Sequence, residues 1–305
     1  MLFQRTISKE VKITGIGIHS GKKVTLKLSP AGADYGIRFR RVDLKGAPEM
    51  KADVNSVGAT ENNTTLGSGR NSIHTVEHLL AVFYGLGINN VCCEIDGPEV
   101  PIMDGSGASF VFVLKETGIS NLDKSKKFLV ILETVTVELE DKFASISPCS
   151  NLVIDSTIEF AHPQIKTQKG LFEFTCENFI NEISRARTFG LLRDVDMLKR
   201  KGLAKGGSLD NCLVLDDFKV MNPEGLRFKN EFVRHKILDT LGDLSLLGFD
   251  IAGKVTTFKS GHHMHNLLCK KILATPSAFE VVSASSLREE TRKALDLPRA
   301  ITVNY

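Results

Sequence analysis

The sequence predicts an α+β protein of two domains with related topology, each a sheet layered against helices, with the functional site at the interface between them. Three observations predict it. A chain of 305 residues exceeds the size at which one core keeps growing and calls for two units of about 125 to 175 residues. Each half opens with runs that alternate polar and apolar residues between turn signals and then changes to a helical apolar period. Each half also sets a candidate metal ligand, His78 or His235, on a helix that closes at Leu-Gly and is followed by a strand.

In the first half, residues 10–14 and 23–28 read as strands, set apart by glycine-rich turns at 15–21 and 32–36. From His74 onward Val76, Leu79, Leu80, Phe83 and Leu86 recur at helical spacing until Gly85 and Gly87 offer a stop. Residues 90–96 read as a buried strand, 97–101 as a loop, and 109–117 as an apolar helix leading to a polar connection. That connection, 118–127, is the expected boundary between domains 1–122 and 123–305. In the second half, strands near 129–139, 144–147 and 152–160 precede a helix over 230–247, which Gly248 stops, and a strand over 251–258. Phe189, Leu191, Leu192, Val195, Leu198 and Leu203 read as a short amphipathic helix stopped at Gly202, with 212–215 a strand.

Composition narrows the class. Hydrophobic content of 42% with 25% charged residues is that of an ordinary soluble globular protein, and a net charge of +3 spread along the chain argues against a nucleic-acid surface. Basic clusters at 124–127 and 199–201 read as solvated segments. Cys92, Cys93, Cys149, Cys176, Cys212 and Cys269 show no C-x-x-C spacing and sit mostly among apolar residues, which favours a reducing cytoplasm. The start Met1-Leu2-Phe3-Gln4-Arg5 lacks the form of a signal peptide, and the longest uncharged run, 79–93, is short for a membrane span and broken by Gly and Asn. A cytoplasmic monomer with at most peripheral membrane contact is expected.

Two short patterns carry the chemistry. Thr75-Val76-Glu77-His78 and Arg234-His235-Lys236-Ile237-Leu238-Asp239 together read as a zinc hydrolase. His235 and Asp239 stand one turn apart on the same helix face and can bind one ion. With His78 as third ligand, two imidazoles and a carboxylate leave a tetrahedral zinc one open position, the arrangement of catalytic sites. Glu77, about 100° around its helix from His78, cannot share the metal face but can reach a water. Within 230–247 the apolar stripe is Ile237, Leu238, Leu241 and Leu244, while His235, Asp239 and Asp243 form a polar one at four-residue steps. The histidines of Gly261-His262-His263-Met264-His265, on what reads as a strand-to-loop exit, are open to roles as ligands, acids or polar loop residues.

The chain also resembles a known family. The 75–79 and 235–243 motifs, Pro101-Ile102-Met103-Asp104-Gly105-Ser106, Ser184-Arg185-Ala186-Arg187-Thr188-Phe189-Gly190, Gly206-Gly207-Ser208, Gly225-Leu226-Arg227-Phe228 and Phe258-Lys259-Ser260-Gly261-His262 occur in order. They look like those of the zinc-dependent UDP-3-O-acyl-N-acetylglucosamine deacetylases of Gram-negative lipid A synthesis, over about residues 4 to 268; the segment from about Ala274 onward carries little of the likeness. The resemblance implies two domains of related topology with the site between them, one zinc ion per chain on His78, His235 and Asp239, Glu77 as general base and His262 as a positively charged histidine. It leaves His263 and His265 as loop residues.

The implied reaction is hydrolysis of the acetamide of a UDP-sugar carrying a fatty acyl chain, with release of acetate. Thr188 would donate a hydroxyl to the developing oxyanion, and Asp243 would be the carboxylate that keeps His262 protonated. By family position Lys236 and Lys142 would meet polar or phosphate groups, and Phe160 would lie against the uracil. The segment near 190–215, with Phe189, Leu191 and Gly207 as contacts, would wrap the acyl chain. The loop Thr60-Glu61-Asn62-Asn63-Thr64-Thr65 departs from the family, whose best-known members carry apolar residues or a cysteine there. Two other readings compete: a zinc amidohydrolase of a peptide or another acetylated sugar, which the lack of H-E-x-x-H weakens in its peptidase form, and a non-catalytic nucleotide-sugar module. Glu77 and His262 discriminate, since a structural site needs neither. Iron could occupy the same ligands.

Overall fold

The computed structural model describes residues 3–287, so Met1, Leu2 and the end of the expected second domain, 288–305, lie outside the described residues. In chain order the first half runs β1 (Phe3–Ile7), β2 (Val11–Ile16), β3 (Lys23–Pro30), β4 (Ile37–Arg41), β5 (Met50–Lys51), β6 (Val57–Ala59), β7 (Thr65–Leu66), α1 (Glu77–Leu86), β8 (Val91–Ile95), α2 (Ala108–Thr117) and β9 (Ile119–Ser125). The second runs β10 (Lys127–Ile131), β11 (Val135–Leu139), β12 (Lys142–Ser147), β13 (Leu152–Phe160), β14 (Lys166–Glu173), the one-turn α3 (Cys176–Asn178), β15 (Phe189–Leu191), α4 (Leu192–Arg200), β16 (Leu213–Leu215), α5 (Glu231–Leu244), β17 (Asp250–Phe258), α6 (His262–Leu273) and β18 (Phe279–Ser283).

The duplication expected from the sequence is present in the sheets. The first has the order β2-β3-β8-β4-β5, with β8 antiparallel to β3 and parallel to β4. In the second, β11 pairs with β12, β12 with β17, β17 with β13 and β13 with β14. Its central β17 is likewise antiparallel to one neighbour, β12, and parallel to the other, β13. Each central strand follows a buried helix, α1 or α5, and leads to another, α2 or α6.

The two helices that carry the motifs pack on one another. All ten residues of α1 are buried, so it is a core helix walled on every side. Gly87 ends it at φ 69°, its N–H bonded to the carbonyls of Phe83 and Tyr84. Every residue of α5 except Arg234 and Lys236 is buried, so its polar stripe faces the interior. Close approach depends on Gly242, where a Cβ would fall 2.1 Å from the carbonyl oxygen of Glu77. One continuous apolar core joins the halves, from Ile7 and Leu26 through Leu79, Phe83, Leu238 and Leu241 to Val255 and Ile272.

Three expectations need correction. The stretch 118–127 is no loose connection: β9 occupies most of it and pairs antiparallel with β1. Its sequence, Ile-Ser-Asn-Leu-Asp-Lys-Ser, escapes notice because β9 buries none of its residues fully and lacks an apolar face. The run 129–139 is two strands, β10 and β11, with different partners. Finally, His262, His263 and His265 sit in the first turn of α6 rather than in a loop. The signal was the buried spacing Met264, Leu268 and Ile272, masked by the histidines between.

Candidate active site

The approach to α1 is strained. Thr75, β-branched, is held at φ 59°, a conformation that costs about 1–3 kcal/mol and persists because its surroundings enforce it. Its hydroxyl donates to Glu99 Oε1 at 3.0 Å and its N–H to Asn63 Oδ1 at 3.3 Å. The buried Glu99 also accepts the backbone N–H groups of His19 and Ser20 at 2.9 and 2.7 Å, tying the 17–20 loop to the turn that aims Glu77 and His78.

His78 meets His235 and Asp239 where α1 crosses α5. Asp239 Oδ1 lies 3.6 Å from His78 Nε2 and 3.4 Å from His235 Nε2, and one donor atom from each of the three lies within 4.8 Å of the others. His235 donates its Nδ1 proton to the Ala186 carbonyl at 3.0 Å, which leaves the Nε2 lone pair facing its neighbours. Burial pushes the His235 imidazole down to about 3, the Asp239 carboxylate opposing, so the ring is neutral and able to ligate. Burial alone would raise Asp239, but the Lys236 ammonium outweighs it and holds the carboxyl well below its usual range. Lys236 Nζ donates to Asp239 Oδ2 at 2.8 Å, while the buried Oδ1 has no hydrogen-bond partner among the described residues. An orphaned carboxylate oxygen facing two imidazole nitrogens is what a cation would satisfy, and this N,N,O donor set fits one metal ion.

Glu77 and His262 face each other beside this cluster, Oε1 to Nε2 at 3.8 Å. Burial raises the Glu77 carboxyl, His262 and His78 opposing. Burial would depress His262, but Asp243 and then Glu77 outweigh it and raise the imidazole to about 9. Asp243 Oδ2 accepts from Nδ1 of both His262 and His265, each at 2.8 Å. Thr64 serves both carboxylates: its N–H donates to Glu77 Oε2 at 3.0 Å and its hydroxyl to Asp243 Oδ1. The polar 60–65 loop thus orients the acidic groups of the site, a role that only contact across the sequence reveals.

A cavity of about 220 Å³ is lined by Glu77 and His78, by Thr188 and Ile102, and by the apolar Phe189, Leu191, Val195, Leu198, Cys212 and Val214. Asn62, His19 and Gly207 also line it. His19 escaped the sequence reading; burial pushes its imidazole down, Glu99 opposing. Lys236 lies 5.7 Å from the centre of the Phe189 ring. Phe160 packs edge-on against Phe189, centroids 5.5 Å apart, and lines a separate surface depression with His162 and Lys166. Lys142 is exposed at the start of β12 and is not among the residues lining the cavity.

Such an arrangement, a buried metal-binding triad with a carboxylate and a cationic histidine beside it and an apolar cavity adjoining, has the chemistry of a metal-assisted hydrolase. Comparison with known proteins identifies which one. The family model described as UDP-3-O-acyl N-acetylglycosamine deacetylase matches residues 4–274. Relatives named UDP-3-O-acyl-N-acetylglucosamine deacetylase include one from Sodalis glossinidius, 48% identical over 93% of this chain and 94% of its own length. Others come from Geobacter sp. (47%, 92% of each chain) and Thioalkalivibrio sulfidiphilus (45%, 93% of this chain and 94% of the relative). The chain belongs to the UDP-3-O-acyl-N-acetylglucosamine deacetylase family, metalloenzymes that perform the deacetylation step of lipid A synthesis. It is a hydrolase, and no helix among its described residues is long and apolar enough to cross a membrane.

Proposed function

We propose that the chain removes the N-acetyl group of UDP-3-O-(3-hydroxyacyl)-N-acetylglucosamine with one zinc ion held by His78, His235 and Asp239. The observation that carries this reading is the orphaned Asp239 Oδ1 facing both imidazoles. When bound, zinc would act as a Lewis acid and lower the pKa of a bound water. Glu77, raised by burial and oriented by the Thr64 N–H, takes a proton from the attacking water as its oxygen bonds to the acetyl carbon. Thr188 donates a hydroxyl hydrogen bond to the former carbonyl oxygen as charge develops there. Cationic His262, backed by Asp243, offsets that charge and gives a proton to the sugar nitrogen as the C–N bond breaks. Acetate and a free amine leave.

Apolar residues lining the cavity support a fatty acyl site on Phe189, Leu191 and the neighbouring 190–215 segment, with Gly207 also in the lining. Lys236 would meet polar groups of the substrate beside Phe189, with Phe160 on the uracil and Lys142 on an outlying phosphate. We assign domains 1–122 and 123–305, and read the protein as a cytoplasmic monomer with peripheral membrane contact at most and no nucleic-acid partner.

Acetate release from UDP-3-O-acyl-N-acetylglucosamine by metal-analysed protein tests the reading, beside Glu77→Ala and a substrate lacking the acyl chain. Release should depend on metal, fall by about 10²–10⁴ in the variant and weaken without the chain. Near-normal turnover by Glu77→Ala would remove it as the base.

A further inference from the structure

We propose that His265 is a positioning residue for the reaction, acting through Asp243: it fixes the carboxylate in line with His262 and shares the oxygen on which His262 rests. This rests on the reading of His262 given above and concerns a residue to which that reading gives no part. His265 is 1% exposed, on α6 three residues beyond His262. Its Nδ1 lies 2.8 Å from Asp243 Oδ2, the same oxygen and the same distance as His262 Nδ1. The other ring nitrogen is gripped as well, Nε2 lying 3.0 Å from Ser260 Oγ and 3.3 Å from Thr240 Oγ1. Thr240 gives its hydroxyl hydrogen to the Lys236 carbonyl at 2.8 Å, so for a ring that carries its proton on Nδ1 the donor to Nε2 is the Ser260 hydroxyl.

The ring is therefore locked at both nitrogens, and a locked donor fixes its acceptor. With Thr64 on Oδ1, the Asp243 carboxylate is held at both oxygens, and its remaining capacity points at His262. An oxygen that accepts two N–H groups is a weaker acceptor for each than if it served one. His265 thus does two things at once: it aligns Asp243 and limits how firmly Asp243 keeps the proton on His262. The titratable groups facing this cluster among the described residues are Glu77 from α1, Lys236, Asp239 and Asp243 from α5, and His262, His265 and Cys269 from α6.

The test is the pH profile of kcat/KM for the zinc-loaded full chain, as wild type, His265→Leu, His265→Gln and His262→Ala. His265→Leu should move the alkaline limb to higher pH, a change of about threefold to tenfold in proton affinity, while kcat falls about tenfold as Asp243 loses its alignment. His265→Gln, whose amide can still donate, should keep the limb near its wild-type position. An alkaline limb that stays in place in His265→Leu, with activity lost only in proportion to folded protein, would overturn the inference. Were that variant not to fold, nitrogen NMR of the wild-type ring decides: a proton on His265 Nδ1 throughout the working range sustains it, and a bare Nδ1 refutes it. His262→Ala separates this inference from its premise, because a limb that survives there shows that His262 never produced it.

Discussion

Gly242 of α5 lies against the backbone of Glu77, with space for a hydrogen but not for a methyl: a Cβ would sit 2.1 Å from the Glu77 carbonyl oxygen and 3.1 Å from its Cα. Both contacts are to backbone, which cannot swing aside as a side chain can. Gly242→Ala should therefore push α1 from α5 and carry Glu77 and His78 with it. Overpacking of this kind costs about 1–3 kcal/mol, and sub-ångström errors in catalytic geometry cost more in rate than in stability. We expect a melting temperature lower by several degrees and kcat reduced at least about tenfold. Unchanged kcat in a folded Gly242→Ala protein would show that the helix contact does not set the position of the base.

His262 links pH to stability as well as to rate. Its imidazole is raised to about 9 in the folded protein, chiefly because Asp243 and Glu77 outweigh the cost of burial, and reverts to about 6.5 on unfolding. The folded state binds the proton more tightly, so this stabilisation is fully present below about pH 6.5 and is lost as pH rises through about 9. Chelated, metal-free protein should accordingly lose on the order of 3 kcal/mol between those values, a loss that His262→Gln should largely remove. Urea unfolding across the range measures both. A metal-free wild type equally stable at both ends would contradict the raised value.

Arg187 and Glu231 form a buried pair, Nε to Oε1 at 2.9 Å, and the Arg187 N–H donates to the same oxygen at 3.0 Å. This anchors the segment whose Ala186 carbonyl accepts the His235 Nδ1 proton and whose Thr188 lines the cavity. Arg187 also pairs with Glu224 and donates to the Gly225 carbonyl, so removing Glu231 leaves its charge partly compensated and should cost about 1–3 kcal/mol for the bonds it loses. Glu231→Ala should therefore unfold at markedly lower temperature and bind metal more weakly, by about 10–100-fold if the His235 support is lost with it. Metal titration and thermal melting read the two effects separately.

On the proposed assignment of the acyl chain to the cavity, its apolar lining sets a length limit. Val214 lies on its wall with Leu198 and Cys212, so Val214→Phe should narrow it. Substrates with short acyl chains should keep their kcat/KM, while the longest chain that the wild type accepts should lose about tenfold or more, as the few kcal/mol of hydrophobic contact is forfeited. Equal losses for all chain lengths would place the acyl group elsewhere.

Patterns with a local cause were legible in the sequence. The strand-helix-strand order of each half and the Leu-Gly helix stop follow from apolar periodicity and from glycine's tolerance of positive φ, and both appear at Gly87 and Gly248. His235 and Asp239 were readable because a four-residue step puts both on one helix face, whereas His78 joined them through the other motif and the family likeness, not through any spacing between the two helices. Residues whose purpose depends on distant partners were not. Thr64 and Glu99 act across loops, and His265 looked like one polar residue among several until α6 set its ring against Asp243. Strand β9 was missed for a related reason, being held by its pairing with β1 and burying no residue of its own.

Because α1 brings Glu77 and His78 while α5 and α6 bring His235, Asp239 and His262, and because one apolar core runs unbroken beneath them all, neither half contains a working centre. Turnover is then a gauge of the whole chain's integrity. A molecule open along that seam separates Glu77 and His78 from His235, Asp239 and His262, and on the proposed reading it is silent rather than sluggish.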